Sequence, residues 1–129
     1  LAALGHRRIL ALFCYGERLP DLPAGLAQHP KVDGLRAACA AAGIDALECW
    51  DAPEPDAMAG GNQIRNGCRA VERRLEQSVP FTAVVARNDF LALGALRALR
   101  AARVAVPEEV SVVGYTDSLQ AACADPPLT

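Results

Sequence analysis

The chain has 129 residues, of which 52% are hydrophobic and 22% charged, a composition typical of one globular domain and not of a disordered or fibrous protein. A chain of this length removes roughly two-thirds of its unfolded surface from water, so its core needs no disulfide or metal. The formal charge of −2 argues against a surface that binds a polyanion. We therefore expect no contact between this segment alone and nucleic acid.

The cysteines and the chain termini bear on the cellular location. The five cysteines are widely spaced and never form a C-x-x-C pair, which indicates reduced thiols in a cytoplasmic protein and makes a cysteine metal site improbable. No apolar run approaches the roughly eighteen residues of a membrane span, and the first residues do not resemble a signal peptide. The chain lacks an initiator Met and opens in an apparent last turn of a helix ended by Gly5. We expect a piece of a longer protein that does not contact a membrane.

The first half of the chain predicts two strands and a helix. Residues 8–13 are apolar on both faces after the arginines, as in a buried parallel strand. Residues 15–30 contain three prolines and two glycines, so they predict a loop, and the following apolar residues recur at helical spacing up to Gly43. Residues 44–50 predict an exposed or edge strand, and residues 51–61 predict a second loop.

The second half continues the alternation of helix and strand. An apolar stripe predicts a helix over about residues 62–78, and Phe81–Ala86 predicts a buried strand. Asp89 can cap a helix that runs to about Arg103, and Val110–Gly114 predicts a fourth strand. The order and spacing indicate an α/β fold with a doubly wound parallel sheet.

In such a sheet, ligands bind outside the carboxyl ends of the strands, where loops diverge and helix N-termini point. Amides, carboxylates and aromatic rings there suit a polyhydroxylated or heterocyclic ligand better than a phosphate. The candidate residues that follow the four strands are Tyr15, Gly16, Glu17 and Arg18; Trp50 and Asp51; Arg87, Asn88 and Asp89; and Tyr115, Thr116 and Asp117.

The sequence lacks the motifs that would indicate catalysis. It has no glycine-rich phosphate loop and no G-x-S-x-G nucleophile elbow. Its two histidines, His6 and His29, do not follow a predicted strand with a Ser or Cys partner. We therefore predict a binding domain that is not an enzyme and that needs no cofactor or metal.

Four stretches of the sequence resemble the lactose-repressor (LacI/GalR) family of bacterial transcription regulators, and together they extend over nearly the whole chain. The stretches are Leu4-Gly5-His6-Arg7-Arg8-Ile9; Asp33-Gly34-Leu35-Arg36-Ala37-Ala38; Ala86-Arg87-Asn88-Asp89 through Leu93-Gly94-Ala95-Leu96-Arg97-Ala98-Leu99; and Val106-Pro107-Glu108-Glu109-Val110-Ser111-Val112-Val113-Gly114-Tyr115, closing with Asp125-Pro126-Pro127-Leu128-Thr129.

This resemblance implies one lobe of a periplasmic-binding-protein-like (type I) fold. Residues 1–129 would form the C-terminal lobe of an effector-binding domain, whose first lobe and helix-turn-helix headpiece are not in this chain. A sugar or purine-like effector in the cleft between the lobes would change the affinity of a homodimer for operator DNA, which the headpiece alone would contact. Two alternatives are a periplasmic sugar-binding protein of a transport system and an α/β enzyme.

The resemblance also implies roles for individual residues. Asn88 corresponds to the family's cleft asparagine, and Lys31 stands where the family has an effector-binding arginine. Thr116 replaces the first of two acids, and Asp117 matches the second. The aromatic residue that lines the cleft in this family corresponds to Trp50 when it is placed after the second predicted strand. A different count along the sequence places the same position at Asn62. Tyr115 is a further effector-binding candidate.

The corresponding dimer interface includes Leu93 and Cys123 by resemblance. Each candidate in the cleft also has a purely structural interpretation. Asn88 and Asp89 are ordinary helix caps, Asp117 can start a turn, and Tyr115 can lie at the edge of the core. Charged stripes on helices, such as Arg97, Arg100 and Arg103, are usually solvated faces, so we assign these arginines no function.

Overall fold

Four strands and four helices are found in residues 1–14, 30–51 and 60–128, which are the residues described by the computed structural model. The strands are β1 (Arg8–Cys14), β2 (Asp45–Asp51), β3 (Ala83–Ala86) and β4 (Ser111–Val113). The helices are α1 (Pro30–Ala42), α2 (Gly60–Glu76), α3 (Asp89–Ala101) and α4 (Leu119–Ala122). A 3₁₀ turn over Ala2–Leu4 precedes β1 and ends at Gly5, whose φ is 86°.

The strands form one parallel sheet in the order β2-β1-β3-β4. Ile9 of β1 is in register with Ala46 of β2 and with Ala83 of β3, and Ala83 is in register with Ser111 of β4. Strand β2 lies at an edge, as its short apolar run predicts. The alternation of helices with parallel strands confirms the prediction of an α/β fold with a doubly wound sheet.

Both faces of the sheet are covered, because successive side chains of a strand point to opposite sides. Leu10 and Leu12 of β1 pack with residues of α2 and α3 in the main core cluster, which also contains Val71 and Leu99. Ile9 packs on the other face with Cys39 of α1. Each of these residues is nearly inaccessible to solvent. The continuous apolar run of β1 therefore reflects a strand that is buried from both sides.

Helices α2 and α3 approach each other through two glycines. A Cβ atom on Gly67 would overlap the carbonyl group of Leu91, and one on Gly94 would overlap the carbonyl group of Ile64. Glycine at both positions thus lets the two backbones come into contact. This close packing holds the start of α3, which carries Asn88, against α2.

His6 ties three strands together at the amino end of the sheet. Its Nδ1 lies 2.9 Å from Oγ1 of Thr82, and its Nε2 lies 3.0 Å from Oγ of Ser111. Thr82 directly precedes β3, and Ser111 begins β4. The ring therefore lies at the edge of the sheet opposite to the predicted cleft.

The structure corrects some local predictions. The side chain of Asn88, and not that of Asp89, caps α3, and α3 ends at Ala101, before Arg103. Strands β3 and β4 are shorter than predicted, because Phe81 and Val110 lie just outside the hydrogen-bonded ladder. Most of each predicted loop, over residues 15–30 and 51–61, lies outside the described residues, but Pro30 begins α1, Asp51 ends β2 and Gly60 begins α2. None of the described helices combines the length and the apolar character that a membrane crossing requires.

Candidate functional site

A cavity of about 470 Å³ opens at the carboxyl end of the sheet. Its described lining comes from four elements: β1, α1, β3 with the residue after it, and the segment that follows β4. The lining residues are Phe13, Gly34, Leu35, Val85, Ala86, Arg87 and Tyr115. The cavity lies where the general rule for open parallel sheets places a ligand.

Two residues after strand ends give this cavity its polar character. Arg87 continues the path of β3, since its backbone N–H donates to the carbonyl oxygen of Leu12 at 3.0 Å. Tyr115, which is 64% exposed, contributes an aromatic ring from the segment after β4. The lining therefore combines an apolar surface with a guanidinium group and a phenol.

Asn88 occupies the start of α3 and uses its side chain in two structural contacts. Its Oδ1 accepts a hydrogen bond from the backbone N–H of Leu91 at 3.0 Å, which is a helix N-cap. Its Nδ2 donates to Oε1 of Gln63 in α2 at 2.5 Å. Gln63 is itself buried. The capping interpretation of Asn88 is therefore correct, and the effector contact implied by the family resemblance stays a prediction.

Asp89 organises the segment that carries Tyr115. Its Oδ1 accepts hydrogen bonds from the backbone N–H groups of Tyr115 at 2.9 Å and Thr116 at 3.0 Å. Its Oδ2 accepts one from the backbone N–H of Ser118 at 2.7 Å. A Cβ atom on Gly114 would overlap the carboxylate, so glycine at that position leaves room for it. The sequence does not reveal this role, because it joins residues that lie more than twenty positions apart.

The same contacts explain the ionisation of Asp89, which is only 1% exposed. Burial raises the pKa of its carboxyl, but the hydrogen bonds from Ser118 and Thr116 outweigh that effect and hold the pKa well below its usual range. Asp89 is therefore a buried carboxylate at neutral pH. Its charge is stabilised by backbone dipoles and serves to fix a loop.

Thr116 and Asp117 are exposed and are not among the residues that line the cavity beside β3. Oγ1 of Thr116 accepts from the backbone N–H of Asp89 at 3.4 Å. Asp117 has a positive φ of 48° and lines a second cavity of about 330 Å³, which Tyr115 and Asp89 also border. Tyr115 thus separates two neighbouring hollows at this edge of the sheet.

Several predicted residues have side chains outside the described part of the structure. Lys31 lies in the first turn of α1 and Trp50 lies in β2, but only their backbones are described. The residues from Tyr15 to Arg18 are outside the described ranges. Asn62, the alternative to Trp50, is in the first turn of α2, where its Oδ1 accepts from the guanidinium of Arg65.

Sequence reasoning missed the apolar part of the lining. Phe13 is the next-to-last residue of β1, and Leu35 lies on α1 among residues that the helical pattern assigns to the core. The rule that ligands bind beyond the carboxyl ends of strands selects residues that follow a strand, so it selects neither Phe13 nor Leu35. A signal was nevertheless present, since the last side chains of a strand border the same edge of the sheet.

The described lining offers groups that bind a ligand and none that suggests covalent chemistry. It contains no Ser, Cys or His side chain that would act as nucleophile or base. Among the described residues, no group of three or more His, Cys, Asp or Glu side chains is placed to hold a metal ion. The arrangement can hold a small molecule by apolar contact, hydrogen bonds and charge.

The two residues predicted for a dimer interface lie near one surface of the fold. Leu93 of α3 is partly buried, packs against the main core cluster and lines a shallow hollow of about 220 Å³ together with Ala124. Cys123, the residue before Ala124, is exposed. We call the surface around this hollow the α3 face; its residues are Leu93, Leu96, Arg97, Arg100, Ala124 and Asp125, with the neighbouring Cys123.

Comparisons with known proteins extend over the whole chain. The family model of the periplasmic binding protein-like domain matches residues 1–129. The transcriptional regulator CelR from Thermobifida fusca, which is of the HTH type, is 37% identical over 129 residues, which are all of this chain and 34% of CelR. This chain therefore spans about a third of the length of that relative.

Two solved structures show the same arrangement of elements. A sugar-binding transcriptional regulator of the LacI family from Escherichia coli superposes with a TM-score of 0.72 at 32% identity, over 98% of this chain and 42% of that one. A dimeric Lac repressor with a C-terminal deletion gives a TM-score of 0.76 at 28% identity, over 100% of this chain and 42% of that one.

Proposed function

Because this chain belongs to the periplasmic-binding-protein-like domain family, in the form found in LacI-type transcriptional regulators, we propose that it is the effector-sensing lobe of such a regulator. In this proposal residues 1–129 are the C-terminal lobe of the effector-binding domain. The first lobe and a DNA-binding headpiece belong to the longer protein. The bound molecule is a small effector with a sugar as the leading candidate, and operator DNA is contacted through the headpiece.

The observation that carries the proposal is the 470 Å³ cavity at the carboxyl end of the sheet. Its lining joins β1, α1, β3 and the segment after β4, so a ligand there contacts four separate parts of the lobe at the edge where open parallel sheets bind ligands. A ligand that binds one arrangement of the lobes more tightly shifts the equilibrium toward it. Coupling of this kind between an effector site and a DNA-binding site typically changes the affinity of one site by about 5- to 150-fold.

The relatives favour this function over the alternatives. CelR and both solved structures are transcriptional regulators, whereas a transport receptor or an enzyme would be expected to match other kinds of protein. The proposed activity is therefore regulated binding without turnover, in a cytoplasmic protein. We also propose that the regulator is a homodimer that associates through the α3 face, since the superposed Lac repressor is dimeric.

Asn88→Ser provides the test of the cleft, because serine retains the N-cap of α3 and removes the amide. We expect the affinity of the complete regulator for its effector to fall about tenfold, while the free energy of unfolding falls by about 1–3 kcal/mol, because the buried side chain of Gln63 loses the hydrogen bond from Asn88. The measurement is a calorimetric titration with the sugar that most raises the melting temperature in a panel of aldoses, uronic acids and sugar phosphates.

Gln77→Ser is the matched control, since Gln77 is an exposed amide just after α2. It should leave the affinity unchanged. If Asn88→Ser binds the same sugar as tightly as the original protein does, Asn88 has only its capping role. If no sugar raises the melting temperature, the sugar is wrong as the leading candidate, and the proposed function itself is wrong if purines do not raise it either.

A further inference from the structure

The α3 face is too small to form a stable dimer interface by itself. Stable interfaces take up about 20–30 residues of each subunit, whereas the hollow that defines the α3 face has six described lining residues. A dimer that forms there must therefore extend onto a neighbouring surface. Two further hollows border the α3 face, one along α2 and one beside the segment after α4.

The hollow beside the segment after α4 has its opposite charges paired within one subunit. Arg100 and Asp125 both line it, and the guanidinium of Arg100 donates to the carboxylate of Asp125 at 3.1 Å. Two groups that pair in this way within a subunit do little to select a second subunit. This side of the α3 face is therefore the weaker candidate for an extended interface.

The hollow along α2 has a volume of about 370 Å³ and is continuous with the α3 face, because Arg97 lines both. The contact between the helices at Gly67 and Gly94 explains this continuity. Cys68, which lines the hollow, follows the first glycine, and Leu93 of the α3 face precedes the second. Helices α2 and α3 thus present one joined surface.

Two opposite charges border the α2 hollow without pairing to each other. Arg97 is exposed, and its guanidinium forms no hydrogen bond or ion pair in the part of the chain that the structure describes. Glu72 is also exposed, and its carboxylate accepts a hydrogen bond from the thiol of Cys68 at 3.3 Å. Arg65 and Arg69 line the hollow too, but each has another contact in the protein.

The thiol of Cys68 lies within the influence of both charges. Burial and the neighbouring carboxylate of Glu72 raise the pKa of this thiol above its usual value, whereas the positive charge of Arg97 opposes the change. The cation and the anion therefore lie on either side of one thiol. They form a small surface that carries both signs of charge.

Such a surface is self-complementary in a two-fold dimer. Both subunits use the same patch, so a contact from residue i to residue j of the second subunit is repeated from j to i. A cation and an anion on one patch can then pair twice across the interface. A patch with charges of one sign would repel its copy.

We propose that the dimer interface continues from the α3 face onto α2, and that Arg97 of each subunit forms an ion pair with Glu72 of the partner subunit. The α2 hollow thus receives a second copy of this chain. This inference rests on the homodimer of the proposed function and names the charge pairs that make it specific. Because the pair forms twice, a charge reversal at either residue replaces two attractions with two repulsions.

Charge reversal in the complete regulator tests this pairing. Arg97→Glu and Glu72→Arg each place like charges opposite one another in the homodimer, so we expect each to raise the dimer dissociation constant at least about tenfold. An equimolar mixture of the two variants should associate to within about threefold of the original dissociation constant, because the mixed dimer holds opposite charges at both pairs. Sedimentation equilibrium of each variant and of the mixture measures the association.

The double variant with both reversals on one chain should dimerise as well, and it repeats the test with a single protein. Arg103→Glu and Glu108→Arg are the matched controls, since they make the same charge changes at exposed residues outside the hollow. These controls should leave the association unchanged. Circular dichroism checks the fold of every variant, which substitutions of exposed side chains should preserve.

The remaining outcomes separate this inference from the proposal on which it rests. If both single reversals associate like the original protein, the interface does not include the α2 hollow, and the inference is wrong while the homodimer stands. If they weaken association and neither the mixture nor the double variant recovers it, Arg97 and Glu72 do not face each other and the inference is also wrong. If the original regulator is a monomer, the proposed homodimer itself fails, whereas effector binding is still measured separately by calorimetry.

Discussion

Asp89 shows how a buried charge can position an exposed site. Its carboxylate receives three backbone N–H groups from the segment that carries Tyr115 into the cavity. Without the charge, these N–H groups lose their strongest acceptor, a carboxylate that is itself almost completely buried. Hydrogen bonds to a charged group contribute about 1.5–3 kcal/mol, so this residue stabilises both the fold and the shape of the site.

The first prediction concerns the pH dependence of this stabilisation. The hydrogen bonds hold the folded-state pKa of Asp89 below the unfolded value of about 3.9. The stabilisation is therefore complete above the unfolded pKa and is lost as the pH falls toward the folded pKa. We expect Asp89→Asn to lower the free energy of unfolding by about 2 kcal/mol at pH 7 and by clearly less near pH 3.

Chemical denaturation of the original protein and the variant at both pH values measures this difference. Asp125→Asn is the control, since Asp125 forms an exposed ion pair with Arg100 at 3.1 Å, and such pairs contribute little. Its effect should be below about 1 kcal/mol at either pH. If the free energies of unfolding of the original protein and Asp89→Asn differ by the same amount at pH 7 and pH 3, the lowered pKa of Asp89 is contradicted.

The neighbouring residues Asn88 and Asp89 also show what a sequence can reveal at this scale. Both are ordinary N-cap residues, so local rules nominate either one for the cap of α3. The choice depends on contacts with Gln63 in α2 and with the segment after β4, which lie far away in the sequence. The sequence predicts which residues follow the strand ends. It does not predict which of these two residues caps α3 and which one binds the segment after β4.

At the scale of elements, the order of helices and strands from β1 to β4 follows directly from the sequence, whereas the four-residue helix α4 was not predicted. Strand β1 is recognisable because it is apolar on both faces, and α2 because its apolar stripe recurs at helical spacing. The boundaries of β3 and β4 are harder to predict from the sequence, since hydrogen bonds to a neighbouring strand decide where a ladder begins. The contact between α2 and α3 is also hidden, because a glycine in a helix does not by itself identify the backbone that approaches it.

That contact gives a prediction about the two glycines. Gly67→Ala and Gly94→Ala each place a methyl group on a backbone carbonyl of the opposite helix. Because backbone must move to accommodate the methyl group, we expect each substitution to lower the free energy of unfolding by about 1–3 kcal/mol. The measurement is urea denaturation followed by circular dichroism.

Gly34→Ala serves as the control for this pair. Gly34 lies inside α1, and a Cβ atom there would meet no other atom within 4 Å. Since alanine favours a helix more than glycine does, this variant should keep the original stability or gain up to about 1 kcal/mol. Equal stability of Gly67→Ala and the original protein would mean that α2 and α3 are not in backbone contact.

At the scale of the whole molecule, the site and the proposed dimer surface occupy different parts of the lobe. The cavity lies at the carboxyl end of the sheet, while Leu93 lines the hollow of the α3 face. Helix α3 begins at Asp89, two residues after Arg87 of the cavity, and also carries Leu93, so one helix joins the two regions. In the proposed dimer, a change in the lobe arrangement at the cleft would act on the position of the second subunit through this helix.

The last prediction tests that surface with Leu93→Asp in the complete regulator. An aspartate in the centre of an apolar contact between two subunits would be buried without a partner, so we expect the dissociation constant of the dimer to rise at least about tenfold. Leu93 is partly buried against the core, so the substitution also lowers the free energy of unfolding of the monomer, and urea denaturation measures that loss. Sedimentation equilibrium, at a temperature where the variant is folded, measures the association.

Leu4→Asp is the matched control, because Leu4 is a 76% exposed leucine in the 3₁₀ turn before β1, at the opposite end of the sheet from the cavity. It introduces the same charge and should leave the association unchanged. Two results would show whether the α3 face forms the interface and whether it transmits the signal. A dimer that persists in Leu93→Asp places the interface elsewhere, whereas a monomer that no longer responds to effector in DNA binding indicates that the signal passes through the α3 face.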